Sequence, residues 1–147
     1  MGVLKVKVNG QWVDVGVSSR GVTMNQVAMA ANTVITGPAP VTLLTLNMPA
    51  QPTGTLLDIS GVVYANQGAV GTQASIAQFL VNGVALSTVL VIGDRIQLES
   101  YSWRHIGAAP PANTPYVISM IANKSVAGGT LQAQATNTIL SVVSHIP

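Results

Sequence analysis

The stretch Thr72-Gln-Ala-Ser-Ile-Ala-Gln-Phe-Leu-Val81, then Asn82-Gly83, then Val84-Ala-Leu-Ser-Thr-Val-Leu-Val-Ile92, decides the fold. Asn-Gly accepts the positive φ that a type I′ turn demands at both central residues, and here it lies between two apolar runs of strand length. The reading is a β-hairpin. The same signals recur in both directions from it. Residues 27–35 (VAMAANTVI) form a strand-like run that ends at Gly37-Pro38-Ala39-Pro40, where two prolines break any ladder. Residues 41–48 (VTLLTLNM) follow, then a turn at 49–54, then 55–65 (TLLDISGVVYA), with a kink expected at Gly61.

Beyond the hairpin, residues 94–106 (DRIQLESYSWRHI) read as the clearest strand. Ile96 and Leu98 alternate with Arg95, Gln97 and Glu99, and Tyr101 and Trp103 continue the inner register. A Pro-rich loop, 108–115, precedes 116–122 (YVISMIA); Ala127-Gly128-Gly129 turns the chain into 130–135, and 139–146 (ILSVVSHI) follows. No window holds an apolar period of 3.6 over three turns, and residues 25–32 (NQVAMAAN) offer at most two turns of Ala-rich helix. Eight or nine strands with Gly, Pro and Asn turns predict an all-β sandwich at residues 22–147.

A separate element precedes it. In Lys5-Val-Lys-Val-Asn-Gly-Gln-Trp-Val-Asp-Val15 another Asn-Gly turn fixes a register pairing Val8 with Gln11, Lys7 with Trp12, Val6 with Val13 and Lys5 with Asp14. Directly opposite residues share a face, so Leu4, Val6, Val8, Val13 and Val15 make an apolar side, and the charges and Trp12 mark the other. A two-stranded hairpin is marginal alone. Its valine face must dock on the protein's own body or on a neighbour. We take residues 1–21 as an attachment arm, with Val6, Val8, Trp12, Val13 and Val15 as its contact candidates.

Composition narrows the function. A chain of 147 residues buries roughly 70% of its unfolded surface on folding, enough for a core without disulfides, and it has no cysteine. Charged residues are 7% of the chain, against about 25% in ordinary domains. From Gly21 to Gly93 the one charged side chain is Asp58. An exterior of Thr, Ser, Asn, Gln and Gly has little to repel a sister chain, and the expectation is a homo-oligomer. Six scattered Lys and Arg make no phosphate-tracking stripe, which argues against nucleic acid as a partner. No segment supplies the roughly 20 apolar residues of a spanning helix. The start has no basic-then-apolar signal layout, and six aromatics cannot furnish the girdles of a membrane barrel. A soluble protein without a membrane partner is expected.

Chemistry finds few candidates. His105 and His145 are the two histidines, the carboxylates number four, and no metal-ligand spacing, GxSxG or phosphate-loop signature occurs. The expectation is no enzyme, no catalytic residue, no metal and no cofactor. The densest polar-aromatic cluster is Tyr101-Ser102-Trp103-Arg104-His105. It reads either as a strand with Tyr101 and Trp103 in the core and Arg104 and His105 exposed, or as a recognition patch, because Tyr, Trp and Arg dominate binding hot spots. Asp58, if buried, needs Arg95, Arg104 or backbone N–H groups as partner, within the chain or across a subunit boundary.

The succession TLNMPAQPTGTLLDISGVVYA, ASIAQFLVNGVAL, GDRIQLESYSWRHIG and VAGGTLQAQATNTILSVVSHIP resembles the tumour-necrosis-factor/C1q type of jelly roll found on bacteriophage surface proteins. The matching features are the turn at 49–54, Val81-Asn82-Gly83 and the closing run Leu140–Val143. The opening KVKVNGQWVDV is similar to a short Val-Lys-Val-x-Gly-x-Trp element near the start of phage minor tail and other virion proteins. The two likenesses cover residues 41–147 and 3–15 and leave 22–40 outside. They imply a jelly-roll β-sandwich behind a short N-terminal β-hairpin arm, assembled as a homotrimer. They also imply a non-enzymatic structural role on the virion surface as capsid decoration or minor tail protein, assembled in the host cytoplasm. Its partners would be itself and the major capsid or tail proteins of the same virion, with the host surface as a further candidate. No coiled-coil or Gly-x-y shaft is present, so an extended fibre is not expected. The competing readings are the receptor- or glycan-binding tip of a tail fibre, and a free cellular β-sandwich module. Loops such as AAPPANTP carry no aromatics for a glycan, and sparse charge suits a free monomer poorly.

Overall fold

The computed structural model describes residues 21–67, 75–93, 96–111, 114–125 and 129–147, together with the backbone of Lys5–Val8 and Gln11–Asp14. Two strands, β1 (Lys5–Val8) and β2 (Gln11–Asp14), pair with each other in the expected register, Lys5 opposite Asp14 and Val8 opposite Gln11. The side chains of Val6, Val8, Trp12 and Val13, and all of Val15, lie outside the described residues, as do Asp94 and Arg95.

The body is a sandwich of β3 (Val22–Ala28), β4 (Thr33–Ile35), β5 (Val41–Met48), β6 (Leu56–Gln67), β7 (Ser75–Val81), β8 (Val84–Ile92), β9 (Glu99–Ala108), β10 (Tyr116–Lys124), β11 (Leu131–Ala133) and β12 (Ile139–His145). One sheet has four strands in the order β5-β10-β7-β8. The other has six. On one edge of β6, β12 covers Leu56–Val62 and β11 covers Ala65–Gln67, with β3 beyond β12 and β4 beyond β11; β9 runs along the opposite edge. With the short β4 and β11 set aside, β3, β5, β6, β7, β8, β9, β10 and β12 are the first to eighth long strands of the body. The sheets then run first-eighth-third-sixth and second-seventh-fourth-fifth. That interleaving is a jelly roll, two Greek keys wound into one sandwich.

Alternation builds the core. Along β6 the odd-numbered residues Leu57, Ile59, Val63, Ala65 and Gln67 point inward, and along β10 the even-numbered Tyr116, Ile118, Met120, Ala122 and Lys124 do the same. Phe79 stacks on Trp103 with ring centroids 4.4 Å apart and an interplanar angle of 12°. Such an offset pair adds about 0.5–1.5 kcal/mol beyond its buried area. It also joins the sheets, because Phe79 belongs to β7 and Trp103 to β9.

The deciding hairpin forms as expected, with Asn82 at φ 50° and Gly83 at φ 79°. Its register then departs from a plain ladder. Val81 faces Val84 and Leu80 faces Ala85, but Gln78 faces Val89, so β8 carries extra residues opposite Phe79. The Gln78 amide fills that bulge by donating to the Leu86 carbonyl at 2.6 Å. The slip is even-numbered, so the inward parity survives it.

Four expectations change. Residues 27–35 are not one strand: β3 begins earlier, at Val22, and stops at Ala28, where the chain bends before β4. The Ala-rich stretch 25–32 is therefore strand and bend, because pairing with β12 overrides its helix propensity. Gly61 makes no kink, since β6 pairs with β9 and β12 without a register shift there. Its need is steric: a Cβ on Gly61 would sit 2.8 Å from Phe79 and 2.9 Å from Trp103. Finally, residues 94–106 are not one strand. β9 starts at Glu99, and Ile96 and Leu98 precede it and are exposed. Parity explains this, since even-numbered Ile96 and Leu98 cannot share an inner face with odd-numbered Tyr101 and Trp103 on an unbroken strand.

Candidate functional site

The cluster Tyr101–His105 lies on β9, which pairs with β6 from Leu56 opposite Ala108 to Ala65 opposite Glu99. Strand alternation divides it. Tyr101, Trp103 and His105 face the interior, half-buried, and Ser102 and Arg104 face outward. The expectation of an exposed His105 is corrected: it shares the parity of Trp103, and its Nδ1 lies 2.9 Å from the Thr88 hydroxyl of β8. That contact ties the edge strands of the two sheets together. Tyr101 donates its hydroxyl to Glu99 at 3.0 Å. The five residues thus divide between the two faces of β9.

Arg104 has a different role. Its guanidinium grips both carboxylate oxygens of Asp58 in the same chain, from its own Nε and an Nη. Asp58 lies diagonally across the β6–β9 ladder, opposite Ile106, and Arg104 is opposite Ser60. Asp58 keeps 16% of its side chain exposed and Arg104 keeps 62%. The hydrogen bonds from Arg104 hold the Asp58 carboxyl below its ordinary pKa; the nearby positive charge of Arg104 and the influence of His145 act in the same direction, and partial burial works against them. The same bonds raise the guanidinium in turn.

Around this pair the outer face of the six-stranded sheet is apolar at one end. The register sets Val22, His145, Leu56 and Ala108 in one cross-strand row, and Met24, Val143, Asp58 and Ile106 in the next. Val22 is 67% exposed, Met24 66%, Leu56 49% and Ile106 59%. Sequence reasoning missed this patch because it did not place a strand at Val22; the alternation of Val22, Met24 and Gln26 was the signal available.

It also missed a buried cation. Lys124 ends β10 on the inner parity, 2% exposed, and donates to the Gln67 side-chain oxygen at 3.1 Å. The Gln67 amide donates onward to Ser75 at 3.3 Å and to the Gly93 carbonyl at 3.1 Å. This is a hydrogen-bonded polar plug between β6, β7 and β10. Among the described residues no three His, Asp or Glu side chains are grouped as metal ligands would be.

No family model matches the chain, and no curated protein is similar to it in sequence. Solved structures are similar in fold. The structure of infectious bursal disease virus, Gt strain, superposes over 99% of this chain with a TM-score of 0.61 at 13% identity. The infectious bursal disease virus VP2 subviral particle superposes over 95% with a TM-score of 0.52 at 14% identity. The likeness is one of fold. This chain spans 38% and 40% of the lengths of those two. The sandwich is thus one that virus-particle proteins also use.

Proposed function

We propose that this protein is a non-enzymatic structural component of a bacteriophage particle. In this reading it is a homotrimer of the tumour-necrosis-factor/C1q type on the virion surface, decorating or stabilising capsid or tail. Residues 1–21 are the arm that fastens it to the major capsid or tail protein. The observation that carries the proposal is the complete jelly-roll strand order on a body whose outer faces hold one internally neutralised ion pair and no other Lys, Arg, Asp or Glu among the described strands. Such a surface is suited to being covered by other chains. The inward placement of Tyr101, Trp103 and His105 favours structural work over a receptor- or glycan-binding tip, which would display its aromatics.

The test is made on purified protein and on virions. Light scattering should give a species of three 15.1 kDa chains, and quantitative mass spectrometry should find the protein in purified particles. Removing residues 1–16 should leave the oligomer folded and abolish its rebinding to stripped particles. A truncated protein that still decorates them refutes the arm, and a protein missing from virions refutes the whole reading.

A further inference from the structure

The oligomer proposed above needs a contact surface, and the two outer faces of the sandwich are not equivalent candidates. On the six-stranded sheet, Val22, Met24, Leu56 and Ile106 lie within two adjacent cross-strand rows and are each between 49% and 67% exposed. The patch also borders a sheet edge with which no described strand pairs. Among the described residues β3 pairs with β12 alone, so its other side presents backbone donors and acceptors next to Val22 and Met24.

Charge selects the occupant. An anionic partner such as nucleic acid would want a spare cation here, but the guanidinium of Arg104 is already bound to both oxygens of Asp58. A charged protein partner would likewise be met by an uncompensated Lys, Arg, Asp or Glu, and the patch offers none; its one other titratable side chain is His145, between Val22 and Leu56. Symmetric self-contact has the opposite requirement. Whatever charge one copy brings to a rotation axis is repeated by every other copy, and like charges brought together repel. A carboxylate in the middle of such a face is tolerable when the same chain cancels it.

We propose that the Val22–Met24–Leu56–Ile106 end of the six-stranded sheet is the self-association surface of this protein. It is turned toward the symmetry axis so that the same patch from each copy meets there, and Asp58–Arg104 is the pair that keeps the axis neutral. The inference rests on the oligomer reading and names its interface.

Sedimentation velocity on the full chain across a concentration series tests it, with circular dichroism confirming that each variant is folded. Met24→Glu and Ile106→Glu should each raise the dissociation constant by a hundredfold or more, on the order expected of a buried unpaired charge. Val91→Glu, exposed on the outer face of the four-stranded sheet, should leave it unchanged. Asp58→Asn frees Arg104 and should weaken association about tenfold or more, and Asp58→Asn with Arg104→Gln should recover most of that loss. If a glutamate variant does not fold, Met24→Ser and Ile106→Ser replace it, with a smaller loss expected. Wild-type protein that stays monomeric at tens of micromolar overturns the oligomer reading and this interface with it. An oligomer that resists the Met24 and Ile106 changes and dissociates with Val91→Glu overturns the interface alone. Equal weakening by the single and double charge variants overturns the neutralising role of the pair.

Discussion

The two sheets of this sandwich solve the problem of a nearly uncharged chain in different ways. The four-stranded sheet turns Thr42, Thr45, Asn47, Ser119, Asn123 and Gln78 outward among its valines, and the one charged residue on its strands, Lys124, points into the core. Its face meets water through these neutral hydrogen-bonding groups together with exposed Val84, Val89, Val91 and Val117. The six-stranded sheet instead exposes larger apolar side chains at one end and cancels its own charge with Asp58–Arg104. The contrast shows that low charge is not one property. A neutral polar face can stay wet, and a self-neutralised apolar face is better covered.

The contrast is meaningful only if both faces belong to one cooperative body, and the strongest way to break it is at the joint. Phe79 is fully buried on β7 and stacks on Trp103 of β9. Phe79→Ala should lower the unfolding free energy by about 3–5 kcal/mol, with one urea transition by both fluorescence and circular dichroism. Two separated transitions would mean that the sheets unfold independently. Next comes Gly61→Ala. The added methyl would meet both rings at 2.8–2.9 Å on a strand held from both edges. A loss of about 1–3 kcal/mol is expected from overpacking, and unchanged stability would show that the ring pair can retreat.

A matched pair of surface changes then sharpens the comparison of faces. Ser60 is directly opposite Arg104, so Ser60→Lys sets like charges across the ladder and competes for Asp58. Ser119 sits between Thr45 and Leu80 with no charge near it on that face. Ser60→Lys should destabilise by about 0.2–1 kcal/mol, and Ser119→Lys should fall within about 0.5 kcal/mol of wild type. The difference should shrink in added salt, because exposed charges are screened. Equal effects of the two lysines in chemical denaturation would erase the distinction between the faces.

How much of this was legible beforehand follows the physics of each element. The Asn82-Gly83 turn was legible because a two-residue turn with both φ positive is a local constraint, and the pairing of β1 with β2 was legible from the same Asn-Gly signal in the sequence. The sandwich was legible from the recurrence of strand-length runs between turns, and the jelly-roll order came through resemblance, since pairing order is a property of distant residues. The start of β3 at Val22 was not legible, because its residues gain their conformation from β12, more than a hundred positions away in the chain. Gly61 read as a kink because a sequence shows a missing side chain but not the two rings that occupy its place. The site behaves the same way. Arg95, Arg104 and backbone N–H groups were all open as partners of Asp58, and the choice of Arg104 depended on the β6–β9 register. Lys124 was overlooked although YVISMIANK alternates through to it: a lysine at the end of an apolar run suggests a snorkelling end, not a side chain folded inward onto Gln67.

The smallest effect tests the charge pair without any partner. The carboxyl of Asp58 titrates lower in the folded protein than its ordinary value of 3.8, chiefly through the hydrogen bonds from Arg104. A carboxyl depressed in this way stabilises the fold at pH values above its unfolded pKa, and that contribution fades as pH falls through the folded value. Wild-type stability should therefore decline below about pH 4 with a component that Asp58→Asn lacks. The two proteins should differ most near neutral pH and converge in strong acid. Because Arg104 stands largely in solvent, the gap should be modest and should narrow with salt. The measurement is the difference in urea midpoint between the two proteins from pH 7 to pH 2, made at a concentration too low for association. A gap that stays constant across that range would mean that Asp58 contributes through packing or its neutral hydrogen bonds. The outer face would then owe its neutrality, but not its stability, to the pair.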